Sequence, residues 1–287
     1  MSGNNKPQDW PPLKQVIQKY DLRASKRFGQ NFLLDSNITD KIAQSARAQS
    51  KDIFEIGPGP GGLTRSLLKI APESLCVIEL DRRMIAPLEE LAASSEGKMR
   101  IIQADALAYE FPENTRNAAI VANLPYNIAT ALLLKWLGLI DRDPNIFESM
   151  TLLFQKEVAQ RLTARPREAH YGRLAVISQY LCKVERVFDI PPGAFSPAPK
   201  VTSTLVRLEP LEHESETPRP KLRTLEDITR SAFGQRRKMI RSSLKGYKSA
   251  LKELDIDITK RAEELTVNDY ISIANFVDQY HAGRKET

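Results

Sequence analysis

Between Lys51 and Leu208, short apolar runs alternate with stretches in which apolar side chains recur every third or fourth position. The runs fall at 52–56, 75–80, 100–103, 118–122, 149–154, 185–190 and 202–208. Such alternation predicts an α/β unit built on a mostly parallel sheet. Residues 118–122, Ala-Ala-Ile-Val-Ala, have no polar position, as befits a central strand covered on both faces. No long helical stretch separates the last two runs, which leaves them free to pair antiparallel at the sheet edge. Helical spacing also covers 11–20, and Asp35 or Ser36 is placed to cap a helix reaching about Gln49. Beyond Glu209 the pattern changes to a polar, Pro-containing connector with Glu212, Glu214 and Glu216. Helical spacing follows at 224–233, 236–254, 258–265 and 267–280. The expected organisation is an N-terminal extension (1–21), an α/β domain (22–210), a linker (211–221) and a small all-α domain (222–287).

The strand ends carry the candidate chemistry, because ligands of doubly wound sheets bind beyond the strands' carboxyl ends. The first strand runs into Gly57-Pro58-Gly59-Pro60-Gly61-Gly62 and then into helical spacing at Leu63. Gly57, Gly59 and Gly61 let the backbone turn sharply and let a ligand approach its N–H groups. Glu79, 22 residues beyond Gly57, ends the second strand, where an acid accepts both hydroxyls of a ribose. A nucleoside-bearing cofactor is implied, without saying which one. Asp105, after the third strand, is placed either to bond the amino group of an adenine or to cap a helix. The fourth strand ends in Asn123-Leu124-Pro125-Tyr126. Pro125 holds Leu124 extended, aiming the Asn123 carboxamide and the Leu124 carbonyl in a set direction beside the Tyr126 ring. Two such acceptors suit the exocyclic amine of adenine, whose lone pair is drawn into the ring. They favour the tetrahedral nitrogen formed as it attacks an activated methyl, while a stacked ring holds the base. Upstream, residues 22–35 mix cations and amides with aromatics, as either a solvated lead-in or a lid over the cofactor.

Composition narrows the possibilities. At 287 residues, 41% hydrophobic and 27% charged, the chain is long enough for one full core and a smaller domain. It has no apolar run of about 18 residues, so no membrane span is expected. The polar start, 1–8, lacks the apolar stretch of a signal peptide. Cys76 and Cys182 read as buried free thiols, which suits a cytoplasmic protein. The histidines, His170, His213 and His281, show no ligand spacing, so no metal is expected. A net charge of +6 and a pI near 9.2 lean towards a polyanionic partner. The basic residues gather in two places. Arg161, Arg165, Arg167, His170 and Arg173 crowd one segment, which reads as a solvated face or as a wall for phosphates. Residues 228–252 contain no acid, and Arg237, Arg241, Lys245, Lys248 and Lys252 recur at three and four positions. With Ile240, Leu244, Tyr247 and Leu251 on a neighbouring face, 236–254 predicts one basic amphipathic helix suited to RNA.

Four motifs, in order, carry a resemblance that covers the chain from about Leu22 onward. They are the stretch from Ser25 to Leu33, Glu55 to Gly61, Asn123 to Tyr126, and Phe195-Ser196-Pro197-Ala198-Pro199-Lys200-Val201. Together they resemble the ribosomal RNA adenine N6-dimethyltransferases, with small-subunit enzymes as the nearest match. The resemblance implies a Rossmann-like, seven-stranded S-adenosylmethionine-dependent methyltransferase domain followed by a small helical domain. It implies that S-adenosylmethionine is held at Asn31, Leu33, Gly57, Glu79, Asp105 and Asn123, with 25–33 as a lid. It assigns catalysis to Asn123, Leu124, Tyr126 and Phe195, Phe195 sandwiching the target adenine against Tyr126 rather than plugging the core. Beside such a pocket, Arg161, Arg165, Arg167 and Arg173, with Arg237, Arg241, Lys245 and Lys248, read as RNA contacts. The implied substrate is two adjacent adenosines near the 3′ end of 16S rRNA, within a precursor small ribosomal subunit, met by a cytoplasmic monomer. A 23S rRNA methyltransferase, an NAD-dependent dehydrogenase and a non-enzymatic assembly checkpoint are the alternatives. The dehydrogenase leaves Asn123–Tyr126 unexplained.

Overall fold

The computed structural model describes residues 10–25, 28–212 and 219–283, the last three by backbone alone. Residues 1–8 of the polar start, Lys26 and Arg27 of the expected lid, and Glu214 and Glu216 of the connector lie outside the described residues.

In chain order come α1 (Leu13–Lys19), β1 (Phe32–Leu33), α2 (Ser36–Ala46), β2 (Asp52–Ile56), α3 (Gly62–Lys69), β3 (Ser74–Glu79), α4 (Ile85–Ala93), β4 (Met99–Gln103) and β5 (Ala118–Ala122). They are followed by α5 (Tyr126–Arg142), β6 (Phe147–Gln155), α6 (Lys156–Thr163), α7 (Arg173–Leu181), β7 (Cys182–Ile190), β8 (Phe195–Ser196) and β9 (Ser203–Pro210). The C-terminal helices are α8 (Leu222–Gly234), α9 (Ile240–Ser243), α10 (Lys248–Glu253) and α11 (Val267–Gly283). Each of the seven expected strands is present, several extended by a residue or more at the ends. Asp35 caps α2, its carboxylate accepting from Asn37 N at 2.9 Å.

The sheet order is β4-β3-β2-β5-β6-β9-β7. β2 pairs parallel with both β3 and β5, β3 with β4 and β5 with β6, while β9 runs antiparallel to β6. The two last strands are neighbours at that edge. From β2 the chain winds outward through β3 to β4 and then returns to β5 on the other side. The crevice between β2 and β5 is thus the topological switch point, where such sheets bind ligands. Burial explains the composition: every residue of β5 is buried, and Ile53, Leu75 and Val77 are inaccessible to solvent. α1 belongs to the same body, since Arg65 Nη1 donates to the Pro11 carbonyl at 2.5 Å and the Trp10 indole donates to Ser94 Oγ at 2.8 Å. Cys76 and Cys182 are buried and unpaired.

The chain divides into two compact units: Met1–Trp136, Asn145–Lys156 and Arg186–Leu208 in one, and Leu137–Pro144, Glu157–Glu185 and Glu209–Thr287 in the other. In the second unit α7 packs on α8 and α11, and Phe233 joins Tyr171 and Tyr270, with centroids at 6.0 and 5.7 Å. Segment 157–185 therefore shares its unit with the C-terminal helices.

Two expected helices are absent. Residues 236–254 break into α9, a 3₁₀ turn at Lys245–Tyr247 and α10. The residues at the start of α9 find partners across the unit: Ile240 N donates to Lys260 O at 2.8 Å, Arg241 N to Ile258 O at 3.1 Å, and Met239 bridges Arg261. Residues 258–265 hold that bridge and a 3₁₀ turn, Ala262–Glu264, instead of a helix. The spacing nevertheless reported burial at three of its four apolar positions, since Ile240, Leu244 and Leu251 are at most 1% exposed while Tyr247 is half-buried.

Candidate active site

Within the first unit, the carboxyl ends of β2, β3, β4 and β5 border a cleft. Asn31, Leu33, Gly57, Glu79, Asp105 and Asn123 all line it, together with Leu124 and Tyr126. Gly57 and Gly59 have left-handed φ of 67° and 56°. A Cβ on Gly57 would meet only the Pro125 ring, at 3.8 Å, so the backbone there faces open cleft, whereas a Cβ on Gly59 would touch the Phe32 ring at 3.4 Å. The N–H groups of Gly57, Gly59 and Gly61 are not offered to a ligand as the sequence suggested. Gly57 N donates to Ile78 O at 2.9 Å, Gly61 N to Pro58 O at 3.1 Å, and Gly59 N to Glu79 Oε2 at 3.0 Å. What the glycines supply is a left-handed path, with room at Gly57 and close packing at Gly59 and Gly61.

Glu79 is 5% exposed, and its second oxygen accepts from Asp81 N at 2.8 Å. Burial pushes its carboxyl up, and these backbone donors oppose that by favouring the charge. Each oxygen accepts more than one hydrogen bond, so both can still take a ribose hydroxyl. Asp81 sits behind. Arg83 Nη2 and Gln30 Nε2 donate to its Oδ2 at 2.6 and 3.0 Å, and Gln30 Oε1 accepts from Ser25 N at 2.9 Å. Burial alone would raise the Asp81 carboxyl, but Arg83 and Gln30 outweigh it and hold it below the usual range. Gln30 thereby fastens the lead-in stretch beside the Glu79 end of the cleft. Asp105 is exposed, and its Oδ1 caps the following turn through Leu107 N at 2.9 Å. It caps and lines the cleft at once, so the two readings of this residue do not compete.

At the end of β5, Asn123 Nδ2 donates to the backbone carbonyl of Asn31 at 3.2 Å. That bond sets which end of the amide is which and leaves Oδ1 as the acceptor. Leu124 is 2% exposed, and α5 starts immediately after Pro125, whose carbonyl accepts from Ile128 N and Ala129 N, both at 3.1 Å. Tyr126 is half-buried, its hydroxyl 2.5 Å from Ser203 Oγ. Burial pushes the phenol up, against the Ser203 bond, so it stays neutral. Phe195 lies elsewhere. It is 5% exposed, paired with Leu33 where β8 meets β1, and packed in the core with Phe32 and Leu33. Here it occupies the core position that the sequence reading set against the stacking role.

One lining residue escaped the sequence reading. Glu55, in the middle of β2, is 1% exposed, with Oε2 lacking a hydrogen-bond partner. A lone acid inside the apolar run 52–56 was the available signal, because buried charge is the informative exception.

Comparison with known proteins fits this geometry. The family model described as ribosomal RNA adenine dimethylase matches residues 22–279. The chain belongs to that dimethylase family. It is 47% identical over 273 residues to ribosomal RNA small subunit methyltransferase A of Brucella abortus, covering 92% of this chain and 96% of that one. The Mesorhizobium japonicum protein of the same name is 46% identical, covering 93% and 98%. Among solved structures, a Plasmodium falciparum dimethyladenosine transferase is 27% identical with a TM-score of 0.73, over 85% of this chain and 96% of that one. The 23S rRNA methyltransferase ErmE is 26% identical with a TM-score of 0.64, over 87% and 100%. As a member of the dimethylase family the chain is an S-adenosylmethionine-dependent methyltransferase with a Rossmann-like α/β fold. The cleft fits that donor: a glycine-rich turn at one wall, a carboxylate at the end of β3 with room for further hydrogen bonds, and no cation among the described lining residues to repel a sulfonium.

The basic residues that the sequence assigned to RNA lie in the second unit. Arg161, Arg165 and Arg167 are exposed, with Arg167 Nη2 3.9 Å from Glu264, and Arg173 pairs with Glu226 at 3.3 Å. Arg237, Arg241, Lys245 and Lys248 are exposed. They do not form one helical face as expected, because the helix is broken. Instead Arg241, Lys248 and Lys252 border one hollow floored by Leu251, Ile256 and Ile258. No helix of the described residues is long and apolar enough to cross a membrane.

Proposed function

We propose that this enzyme dimethylates the N6 amines of two adjacent adenosines near the 3′ end of 16S rRNA, acting as a cytoplasmic monomer on a precursor small subunit. The observation that carries the reading is the end of β5, where the Asn123 amide, lining the cleft, donates its N–H to the Asn31 carbonyl and keeps its oxygen as the acceptor. The name shared by the bacterial relatives, ribosomal RNA small subunit methyltransferase A, supports the choice of RNA.

S-adenosylmethionine supplies an already reactive sulfonium methyl, so the protein contributes alignment and electrostatics. Glu79 binds the ribose hydroxyls, Asp105 the adenine amine, and Asn31, Leu33 and Gly57 shape the remaining walls. Asn123 Oδ1 and the Leu124 carbonyl accept the two N6 hydrogens of the target base, favouring the tetrahedral nitrogen of the transition state. Tyr126, held through Ser203, supplies the stacking plane. Phe195 provides the second plane once its side chain leaves the core. Arg161, Arg165, Arg167 and Arg173, with Arg237, Arg241, Lys245 and Lys248, contact phosphates and set register rather than sequence. Residues 22–210 and 222–287, joined by 211–221, are the two functional parts of this scheme.

The test is to map N6,N6-dimethyladenosine by primer extension on 16S and 23S rRNA from cells with and without the gene. Loss of the modification at adjacent positions in 16S alone is expected. Loss confined to 23S rRNA, the substrate in the name of ErmE, would replace the target, and loss in neither would remove the function.

A further inference from the structure

Three carboxyl groups line the cleft, Glu55, Glu79 and Asp105, and no lysine, arginine or histidine lines it among the described residues. Two of the three have backbone N–H donors: Gly59 and Asp81 for Glu79, and Leu107 for Asp105. Glu55 has none for its Oε2, although it is 1% exposed. An ionised carboxylate left this way costs several kcal/mol, so the group stays neutral unless a cation arrives. Its surroundings supply no cation. In register beside it stand Val77 on β3 and Val121 on β5. From α3 comes Thr64, fully buried, whose hydroxyl is the one polar neighbour that favours the Glu55 charge although it makes no hydrogen bond of good geometry, while Arg65 turns to the Pro11 carbonyl. The charged group that acts on Glu55 is Glu79, which is of the same sign. Burial first, opposed by Thr64 and reinforced by Glu79, pushes the Glu55 carboxyl up to about 8.

S-adenosylmethionine carries two cations, the sulfonium and the α-ammonium. We propose that Glu55 is protonated in the cofactor-free enzyme and that binding of S-adenosylmethionine expels this proton, leaving a carboxylate that positions one of the ligand's cationic groups. The balance is simple: the carboxyl and the cationic ligand give a carboxylate–ligand ion pair and one proton, taken up by buffer. This rests on the cleft being the S-adenosylmethionine site. Burial raises the Glu79 carboxyl too, but two backbone donors oppose that by favouring its charge, whereas Glu55 Oε2 has no such donor; a Glu79→Gln variant separates the two carboxyls.

The test is calorimetric titration of the full-length protein with S-adenosylmethionine in two buffers of different ionisation enthalpy. About one proton should be released per ligand bound at neutral pH, falling towards none above the Glu55 pKa. Affinity should therefore tighten by roughly tenfold per pH unit through the acidic range and level off in mild alkali. Glu55→Gln mimics the neutral acid and should bind with no proton release and a flat pH profile, whereas Glu79→Gln should still release the proton. Should Glu55→Gln fail to fold, the parent's infrared difference spectrum still reports. A protonated carboxyl band should vanish on ligand addition. S-adenosylhomocysteine, which keeps the ammonium but lacks the sulfonium charge, sorts the two cations. Continued release assigns the ammonium to Glu55, and loss of release assigns the sulfonium. Binding without proton release, or equal release by Glu55→Gln, overturns the proposal while leaving the cofactor site intact. No binding at all would remove both.

Discussion

Residues 52–62 and 236–254 both carry a clear periodic pattern, yet only in the first did the pattern foretell the backbone. Along β2 the strand pairs with β3 on one side and β5 on the other, so the apolar run and the hydrogen-bonding partners demand the same conformation. In the second stretch Ile240, Leu244 and Leu251 are buried as their spacing requires, and Tyr247 is half-buried. The N–H groups of Ile240 and Arg241, however, reach Lys260 and Ile258 across the unit. Helical spacing reports which positions are inside. It reports the hydrogen bonds only where no distant backbone competes for them. Charge patterning depends on the same condition. Five cations at helical spacing became a hollow bordered by three of them, because the helix that would have aligned all five is interrupted.

The comparison breaks most visibly at Asn123. If chemistry resides at the sheet's strand ends, removing that one acceptor by Asn123→Ala should slow methyl transfer on the order of 10²–10³-fold, by analogy with an oxyanion-hole donor. The bond to the Asn31 carbonyl goes too, so some cofactor affinity should be lost with it. Single-turnover rates at saturating S-adenosylmethionine separate the two, and a near-normal rate there would move the acceptor role away from Asn123.

Next in size is Glu79. Its charge-assisted bonds to ribose hydroxyls are worth about 1.5–3 kcal/mol each. Glu79→Ala should therefore weaken S-adenosylmethionine binding by roughly tenfold to a hundredfold or more, with the circular dichroism of the fold retained. Unchanged affinity in calorimetry would show that the carboxylate serves only Gly59 and Asp81.

Much of the sheet and the cleft was legible in the sequence because the strand-end motifs are local: a Gly-rich turn, a terminal acid and a Pro-fixed tetrapeptide each determine their own geometry. Residues whose state depends on distant packing were not legible. Glu55 reads as one polar letter in a strand, and its isolation comes from α3, β3 and β5 closing around it. Gln30 gains its place from Asp81, 51 residues away, and Phe195 from a two-residue pairing with β1. The Gly-turn N–H groups looked open to ligand because the carbonyl of Ile78 and the carboxylate of Glu79 belong to another strand.

A third test addresses the interrupted basic stretch. Reversing Arg237, Arg241 and Lys245 to Glu should weaken binding to precursor subunits strongly. The slope of log affinity against log salt should flatten by roughly 2–3 units as counterion release is lost. Affinity for S-adenosylmethionine should stay the same, because none of the three lines the cleft. If the triple variant binds and methylates subunits like the parent at every salt concentration, the RNA-docking role passes to Arg161, Arg165, Arg167 and Arg173.

The smallest effect compares one glycine from each region. Gly61 has φ 86°, and a Cβ there would stand 2.5 Å from Leu91 Cδ1 on α4. Gly61→Ala therefore meets both backbone strain and a crowded core contact, and should destabilise the protein by about 1–3 kcal/mol. Gly246 sits in the 3₁₀ turn between α9 and α10, has no positive φ, and would place a Cβ in open space. There an alanine fits the native backbone without strain and restricts only the unfolded chain, so Gly246→Ala should stabilise by about 0.4–1 kcal/mol. Urea denaturation of both variants beside the parent measures the pair. A destabilising Gly246→Ala would mean that the break in the basic stretch depends on a left-handed or crowded residue, as the Gly-rich turn does. The distant carbonyls of Ile258 and Lys260 would then not be what interrupts the helix.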